Sequence, residues 1–368
     1  MKNKPLPELS PKNSATSLLS KLFTAALLFA FGMAHPAAAQ NAANGKKSPS
    51  ATPQMQASSP QSVKTGMKNV ELHLADGIVV HIIALNGKLT PIKGDFPIFD
   101  DKQSFVVDVD SASITVSSQA LTNDLNDYVF AAADAPLKKL SVEIKGDQMV
   151  VKGLLVSKGG VPFETDGTVS ATADGKIRVH TAKVKALKVE VKGLMDLLGL
   201  DTQKLIDTKK VPGVSADKDD LILDPELILP PPTMRGHLTG IRVENGAIAL
   251  AFGPPASEQK QEGIATTCGG QNYIQFRGGS IRFGKLTMAD TDIQLLDMTP
   301  NDPFDFAIDH YQDELVAGYI KVTKAGGMCA YMPDYNKMPH TRTSRRASAK
   351  PAAAGSNTAP NRPKPNSQ

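Results

Sequence analysis

Residues 177–191 constrain the fold of this chain more than any other stretch. Ile177 and Val179 share one face of an extended strand. Ala182, Val184 and Ala186 share the next face, out of phase with the first pair, and Leu187, Val189 and Val191 are out of phase again. Side chains on a strand alternate with a period of two, so a one-residue slip turns every later side chain to the opposite face. A strand with such slips must carry bulges or a strong bend, and bulged strands build a sheet that curves around something. Lys183, Lys185, Lys188 and Lys192 fall between the apolar positions, as on the solvated face of an antiparallel sheet.

The neighbouring sequence supplies what such a sheet encloses. Ser117 or Ser118 can cap a helix in which Leu121, Leu125, Tyr128, Val129 and Ala132 lie on one face and Asn123, Asp124, Asn126 and Asp127 on the other, with Pro136 as the stop. Alternating strands follow, separated by turns at Gly146-Asp147, Gly159-Gly160 and Asp174-Gly175. A second short helix after Gly193 carries Leu194, Leu197 and Leu198 on one face. Upstream, Val70 to Val116 reads as strands with turns at Asp76-Gly77 and Asn86-Gly87 and a loop over 90–102. Downstream, Pro230-Pro231-Pro232 reads as a rigid crossing and Asn245-Gly246 as a hairpin turn. The fold class expected is α+β, mostly β: a long curved antiparallel sheet wrapped around one or two amphipathic helices, followed over 264–338 by a β-rich extension that packs on the first sheet.

The ends of the chain read differently. Lys2, Lys4, Lys12 and Lys21 precede a short apolar run and Ala37-Ala38-Ala39, the pattern of a secretory signal over 1–39; retention as an N-terminal anchor is the reading left open. Residues 40–67 are rich in Ser, Pro, Gln and Asn and read as a disordered linker. Residues 339–368 read as a disordered tail with six basic residues and no acid, whose candidate contact is an anionic membrane surface. The leader and tail carry more positive charge than the whole chain, whose formal net charge is +4, so the body over 68–338 is acidic. That excludes nucleic acid as the expected partner, because a nucleic-acid domain shows a basic face of its own. The two cysteines, Cys268 and Cys329, are expected to pair as a disulfide in an exported chain. The localisation expected is periplasmic or secreted.

Sites for chemistry are scarce. The chain has no G-x-S-x-G, S-x-x-K, H-E-x-x-H, C-x-x-C or phosphate-cradling loop. His73 and His81 straddle the Asp76-Gly77 turn and could share a metal across a hairpin. Asp217, Asp219, Asp220, Asp224 and Glu226 form an acidic stretch without the calcium-loop spacing. Asp302, Asp305, Asp309 and Asp313 have helix-like spacing and raise paired-acid glycoside hydrolysis, but Pro300 and Pro303 argue for a loop and the chain has no Trp to stack on a sugar. No catalytic group, metal or cofactor is expected, and the chain reads as a binding protein, not an enzyme.

The Leu121-x-x-x-Leu125-x-x-Tyr128 helix, the meander with Lys152-Gly153 and Asp174-Gly175, and the helix Gly193-Leu194-Met195-Asp196-Leu197-Leu198-Gly199-Leu200 come in a distinctive order. With Leu221-Ile222-Leu223-Asp224-Pro225 running into Pro230-Pro231-Pro232, that order resembles the LmeA-like phospholipid-binding proteins, a tubular lipid-binding (TULIP-like) group, over about residues 70–253. The resemblance implies that residues 68–255 hold a phospholipid or other acyl-chain lipid in an apolar cleft. The groove residues expected are Leu121, Leu125, Tyr128, Val129, Leu194, Leu197 and Leu198. A structural or adhesive envelope β-protein without a ligand is the alternative.

Overall fold

The computed structural model describes residues 61–156, 159–181, 185–186, 208–218, 220–254 and 266–339, with backbone only at 185, 186 and 210. The leader, most of the expected linker, the second helix with Leu194, Leu197 and Leu198, and the basic tail from 340 lie outside these residues.

The architecture is mostly β, with helices few and short. Strands β1 (Val63–Ala75), β2 (Ile78–Pro91) and β3 (Phe105–Ser117) form a meander. Helix α1 (Ser118–Asp124) follows directly and runs into a π turn over Leu125–Val129. Then come β4 (Leu137–Lys145), β5 (Gln148–Leu155), β6 (Val161–Ala171), β7 (Ile177–Thr181) and the two-residue β8 (Lys185–Ala186). Strands β9 (Val214–Asp217) and β10 (Asp220–Leu223), the one-turn helix α2 (Pro225–Ile228), β11 (Thr233–Arg235), β12 (Leu238–Glu244) and β13 (Ala247–Phe252) complete the first part. The rest holds β14 (Tyr273–Arg277), β15 (Ser280–Phe283), β16 (Leu286–Ala289), β17 (Asp292–Asp297), β18 (Phe304–Ala307), α3 (Tyr311–Ala317), β19 (Tyr319–Val322) and β20 (Met328–Met332).

Among the described residues these strands make two large sheets and one hairpin, β15-β16. The first sheet runs β12-β13-β3-β2-β1-β14-β17-β20-β19, with β11 beside β3 and β18 beside β1; the second runs β4-β5-β6-β7-β10-β9, with β8 beside β6. The first sheet is mixed, not wholly antiparallel as expected: β18 on β1, β11 on β3 and β20 on β17 are parallel. Each of these strands arrives by a crossover, and only a hairpin forces the antiparallel sense. The edge of β1 is divided, Lys64 to Lys68 pairing with β14 and Val70 to His73 with β18. The change of partner falls at Asn69, whose φ is 52° and whose amide donates to Asn272 Oδ1 at 2.8 Å. Strand β1 also starts earlier than the composition suggests. Val63, Thr65 and Met67, within the expected linker, are buried in the sheet, because their alternation with Lys64 and Lys68 matches the pleat.

The core of the first sheet gathers around Phe99, from the loop before β3. Its ring meets Phe276 at 5.6 Å, Phe283 at 4.8 Å and Tyr311 at 4.9 Å between centroids, with Phe306 beside them. The residues after 266 therefore share one core with the N-terminal meander. The Cys268–Cys329 disulfide, with Cα atoms 5.9 Å apart, ties the approach to β14 to strand β20.

The phase slip read from the sequence is present in the second sheet. Gly167 of β6 faces Thr181, but Glu164 faces Lys185, so the register differs by one residue between these two pairs. The second slip, at Leu187, lies outside the described residues. Asn86-Gly87, expected as a turn, is instead a register shift inside continuous β2. The long pairings with β1 and β3 override the local Asn-Gly signal. A Cβ at Gly87 would stand 2.2 Å from the Asp108 carbonyl oxygen, so glycine is required there by the close approach of β3.

Helix α1 lies between the two sheets. Ser117 caps it, its Oγ accepting from the Ala120 N–H at 3.2 Å. Ser118 Oγ donates to the Gly246 carbonyl (3.1 Å) and Asn123 Nδ2 to the Gly77 carbonyl (2.6 Å), both in turns of the first sheet. Toward the second sheet, Thr122 Oγ1 accepts from the Val142 N–H at 2.9 Å. The Asn126 amide accepts from the Leu140 N–H at 2.9 Å and donates to the Leu140 carbonyl at 2.7 Å. These side chains complete the free edge of β4 as a neighbouring strand would. The Asn126→Ala variant leaves both Leu140 backbone groups without these partners. It is expected to cost about 1–3 kcal/mol in chemical denaturation, with amide-exchange protection lost over residues 137–142 and retained in β14 and β17. Replacing both cysteines by serine removes a 61-residue closure and is expected to lower stability by about 4 kcal/mol on the loop-entropy model, read as the shift between oxidised wild type and the double variant.

Candidate functional site

The apolar interior flanking α1 is the candidate site, and it opens into two cavities. The first, about 90 Å³, lies between the π turn and the inner face of the second sheet. Alternation places Met149, Val151 and Leu155 of β5, Phe163 of β6, Val179 of β7, and Leu221 and Leu223 of β10 on that face, with Thr165 and Thr181 among them, while the register shift between Lys138 and Ser141 brings both Leu137 and Leu140 of β4 there. The opposite face is polar. Glu143, Lys152 and Glu164 link three successive strands there through pairs at 3.1 and 3.8 Å.

The second cavity, about 60 Å³, lies between α1 and the first sheet. Ile78 and Val80 of β2, Ile114 and Val116 of β3, Ile177, Pro225, Ile228, Leu229, Met234, Leu250 and Phe252 line it with Ala120, Leu121 and Asp124 of the helix. Leu121, Leu125 and Ile177 pack in one cluster with Val179, Leu221 and Leu223, so the two cavities adjoin across these side chains. By comparison, the space within the Phe99 core is only about 20 Å³.

The structure divides the groove residues expected from the helical stripe. Leu121 lines the second cavity and Leu125 the first. Val129 packs on the cluster around Phe130 without lining either cavity, and Tyr128 is 39% exposed. The cause is the π turn. The Phe130 N–H donates to the Leu125 carbonyl at 2.9 Å, a five-residue step, which rotates the succeeding residues relative to a 3.6-residue helix. Phe130 is thereby buried in the first cavity wall, and the helix ends there, before Pro136. Leu194, Leu197 and Leu198 lie outside the described residues.

Asp124 is the residue that the sequence reading misplaces. Assigned to the polar face, it is 5% exposed and lines the second cavity, and its Oδ1 has no hydrogen-bond partner. Burial pushes its carboxyl up to about 7, because an apolar surrounding disfavours the charged form. The Tyr128 phenol, one turn on, is pushed up by its own burial and then by the Asp124 charge. The signal was present in the spacing: positions 121, 124, 125 and 128 share a helical face.

The acids with helix-like spacing do not come together. Residues Phe304–Ala307 form strand β18, so Asp305 is buried and bonds His73, Asp302 pairs with Lys337 at 3.0 Å and Asp309 with Lys102 at 2.7 Å. His81 bonds Asn69 at 3.0 Å, so His73 and His81 have separate partners. In the acidic stretch, Asp220 pairs with His180 at 2.6 Å and Asp224 caps α2; Asp219 lies outside the described residues. Among the described residues no group of His, Cys, Asp and Glu is placed to hold a metal ion, and no helix is long and apolar enough to cross a membrane. Comparison with protein-family models, curated proteins and solved structures finds no match to this chain.

One further acid is out of the ordinary. Glu314 on α3 is fully buried. It accepts from the Ala307 N–H at 2.8 Å, and its Oε2 lacks a partner. Burial, with Asp305 and Asp334 nearby, pushes it up to about 9. The folded state thus holds a proton that the unfolded chain releases near its ordinary value of 4.5. The folded state is favoured at low pH, and this contribution is lost as pH rises from that value to about 9. The Glu314→Gln variant keeps the shape without the titration. It is expected to raise Tm more at pH 8 than at pH 5, flattening the wild-type slope in a series of calorimetric scans.

Proposed function

We propose that this chain binds an acyl-chain lipid, with phospholipid as the leading class, without catalysing a reaction on it, in the cell envelope. The observation that carries the reading is the pair of adjoining apolar cavities around α1, in a molecule whose other core is closely filled. The order of sequence elements resembling the LmeA-like proteins supports the same reading. Each acyl CH₂ moved from water into such a surrounding contributes about 0.8 kcal/mol, which is the source of affinity. Specificity for the chain needs no charged group, and the first cavity has none in its lining.

Size defines how the site must work. A cavity of about 90 Å³ is smaller than the ~150 Å³ that holds one benzene. A whole acyl chain therefore enters by parting α1 from the second sheet and displacing Leu125 and Leu121. The bonds from Thr122 and Asn126 to β4 act as the hinge side of that opening. Export is the compartment that fits: the leader-like N-terminus and the disulfide belong together in an oxidising space. The basic tail then serves as a contact to anionic headgroups, and nucleic acid is not a partner.

Native mass spectrometry of the purified chain, with lipid extraction and a vesicle-to-vesicle transfer assay, tests this. Bound lipid or measurable transfer is expected. Empty protein with no transfer would falsify the reading and favour a structural envelope protein. The Leu125→Trp variant discriminates further. Overpacking a solid core costs about 1–3 kcal/mol, whereas in a lipid site the same change is expected to cost less than about 1 kcal/mol and to lower lipid uptake severalfold.

A further inference from the structure

The lipid reading leaves Asp124 without a task. A carboxyl group faces an otherwise apolar cavity with one oxygen unpaired, a state that burial makes costly. The walls contributed by β2, β3, β7, α2, β11 and β13 offer it no polar or charged side chain. We propose that the second cavity is a subsite for the hydrogen-bond-donating end of an amphiphile, a hydroxyl or ammonium group on an aliphatic carbon, and that Asp124 holds it. This deepens the lipid reading and rests on it.

Three features select that ligand class. Volume is the first. About 60 Å³, set against the ~150 Å³ that holds benzene, admits an end group of a few heavy atoms and excludes a glycerophosphate. The second is charge, since a phosphate or carboxylate end would meet the Asp124 carboxylate in a surrounding that screens little. The third is continuity. Leu121, Leu125 and Ile177 separate this cavity from the first, so a carbon chain leaving Asp124 runs past Leu125 onto the inner face of the second sheet. A phospholipid in the same interior would lay only its tails there, with its headgroup outside.

Protonation tunes the choice between the two donors. Burial holds the Asp124 carboxyl near 7. Above that value its carboxylate pairs with an ammonium group, and at any pH it can accept from a hydroxyl. The titratable neighbour that responds to its charge is the Tyr128 phenol on the next turn, which stays neutral across this range.

The test uses the purified full-length chain and four probes of one carbon-chain length: dodecanol, dodecylamine, dodecanoate and methyl dodecanoate, with affinities from calorimetry or displacement of a fluorescent apolar dye. Dodecanol and dodecylamine are expected to bind about tenfold tighter than the methyl ester, with the amine gaining between about pH 6 and pH 8 as Asp124 ionises. The Asp124→Leu variant is expected to bring both down to the ester and, in the ligand-free protein, to raise Tm at alkaline pH. The Asp124→Asn variant, close in shape, is expected to keep the preference for the alcohol and lose that for the amine. Equal affinity for all four probes, or a preference that survives in Asp124→Leu, overturns the subsite while leaving the lipid reading standing. No binding of any probe overturns both.

Discussion

The interior of this protein depends on how one helix finishes the edge of a sheet. Among the described residues strand β4 ends the second sheet, and an unfinished edge presents unpaired backbone groups. A helix cannot offer a ladder, but the Asn126 amide turns one N–H donor and its oxygen acceptor to Leu140, the same pair as a peptide unit, and Thr122 supplies a second acceptor. Both lie on α1 and the π turn, so satisfying the edge also sets the distance between helix and sheet. The helix is also fastened to turns of the first sheet, through Ser118 at its start and Asn123 near its end. With polar side chains holding both contacts, the leucines between them are left to meet the sheets loosely, and the apolar space follows from that division of labour.

Much of this arrangement was legible. The Ser117 cap, the leucines at 121 and 125 and the slip near residue 182 follow from spacing alone, because each depends only on neighbours along the chain. The turn at Asn245-Gly246 was legible for the same reason. The hidden features depend on remote partners. The π turn moved Tyr128 outward and Phe130 inward, and it is stabilised by bonds to β4 that no local pattern contains. Asn86-Gly87 has strong local turn character and lost to two flanking strands. Val63 to Met67 resembles linker in composition and becomes strand because β14, some 200 residues later, arrives beside it. Asp124 was hidden by its own chemistry, since an acid on a helix reads as solvent-facing whenever its neighbours are polar too.

Two buried acids, Asp124 and Glu314, both hold protons more tightly than ordinary carboxyl groups, yet they occupy different surroundings. Glu314 sits in a close-packed region and accepts from a backbone amide, which gives it a structural partner. Asp124 faces open space with apolar walls. An acid that costs stability and satisfies nothing internal is where function is most economically sought, and of the two acids Asp124 alone has that character.

The divided edge of β1 has a consequence for the life of the chain before it is folded. The first of the described strands is completed by strands that lie about 200 positions further on, as the Asn69–Asn272 bond shows with its separation of 203 residues. Until those strands are available, one edge of β1 and the aromatic floor beneath it remain uncovered. Closure over such distances is slow because the entropy of a large loop precedes any reward. The first sheet of a chain built this way is completed only when the last third has arrived. Delay is thus written into the order of the strands.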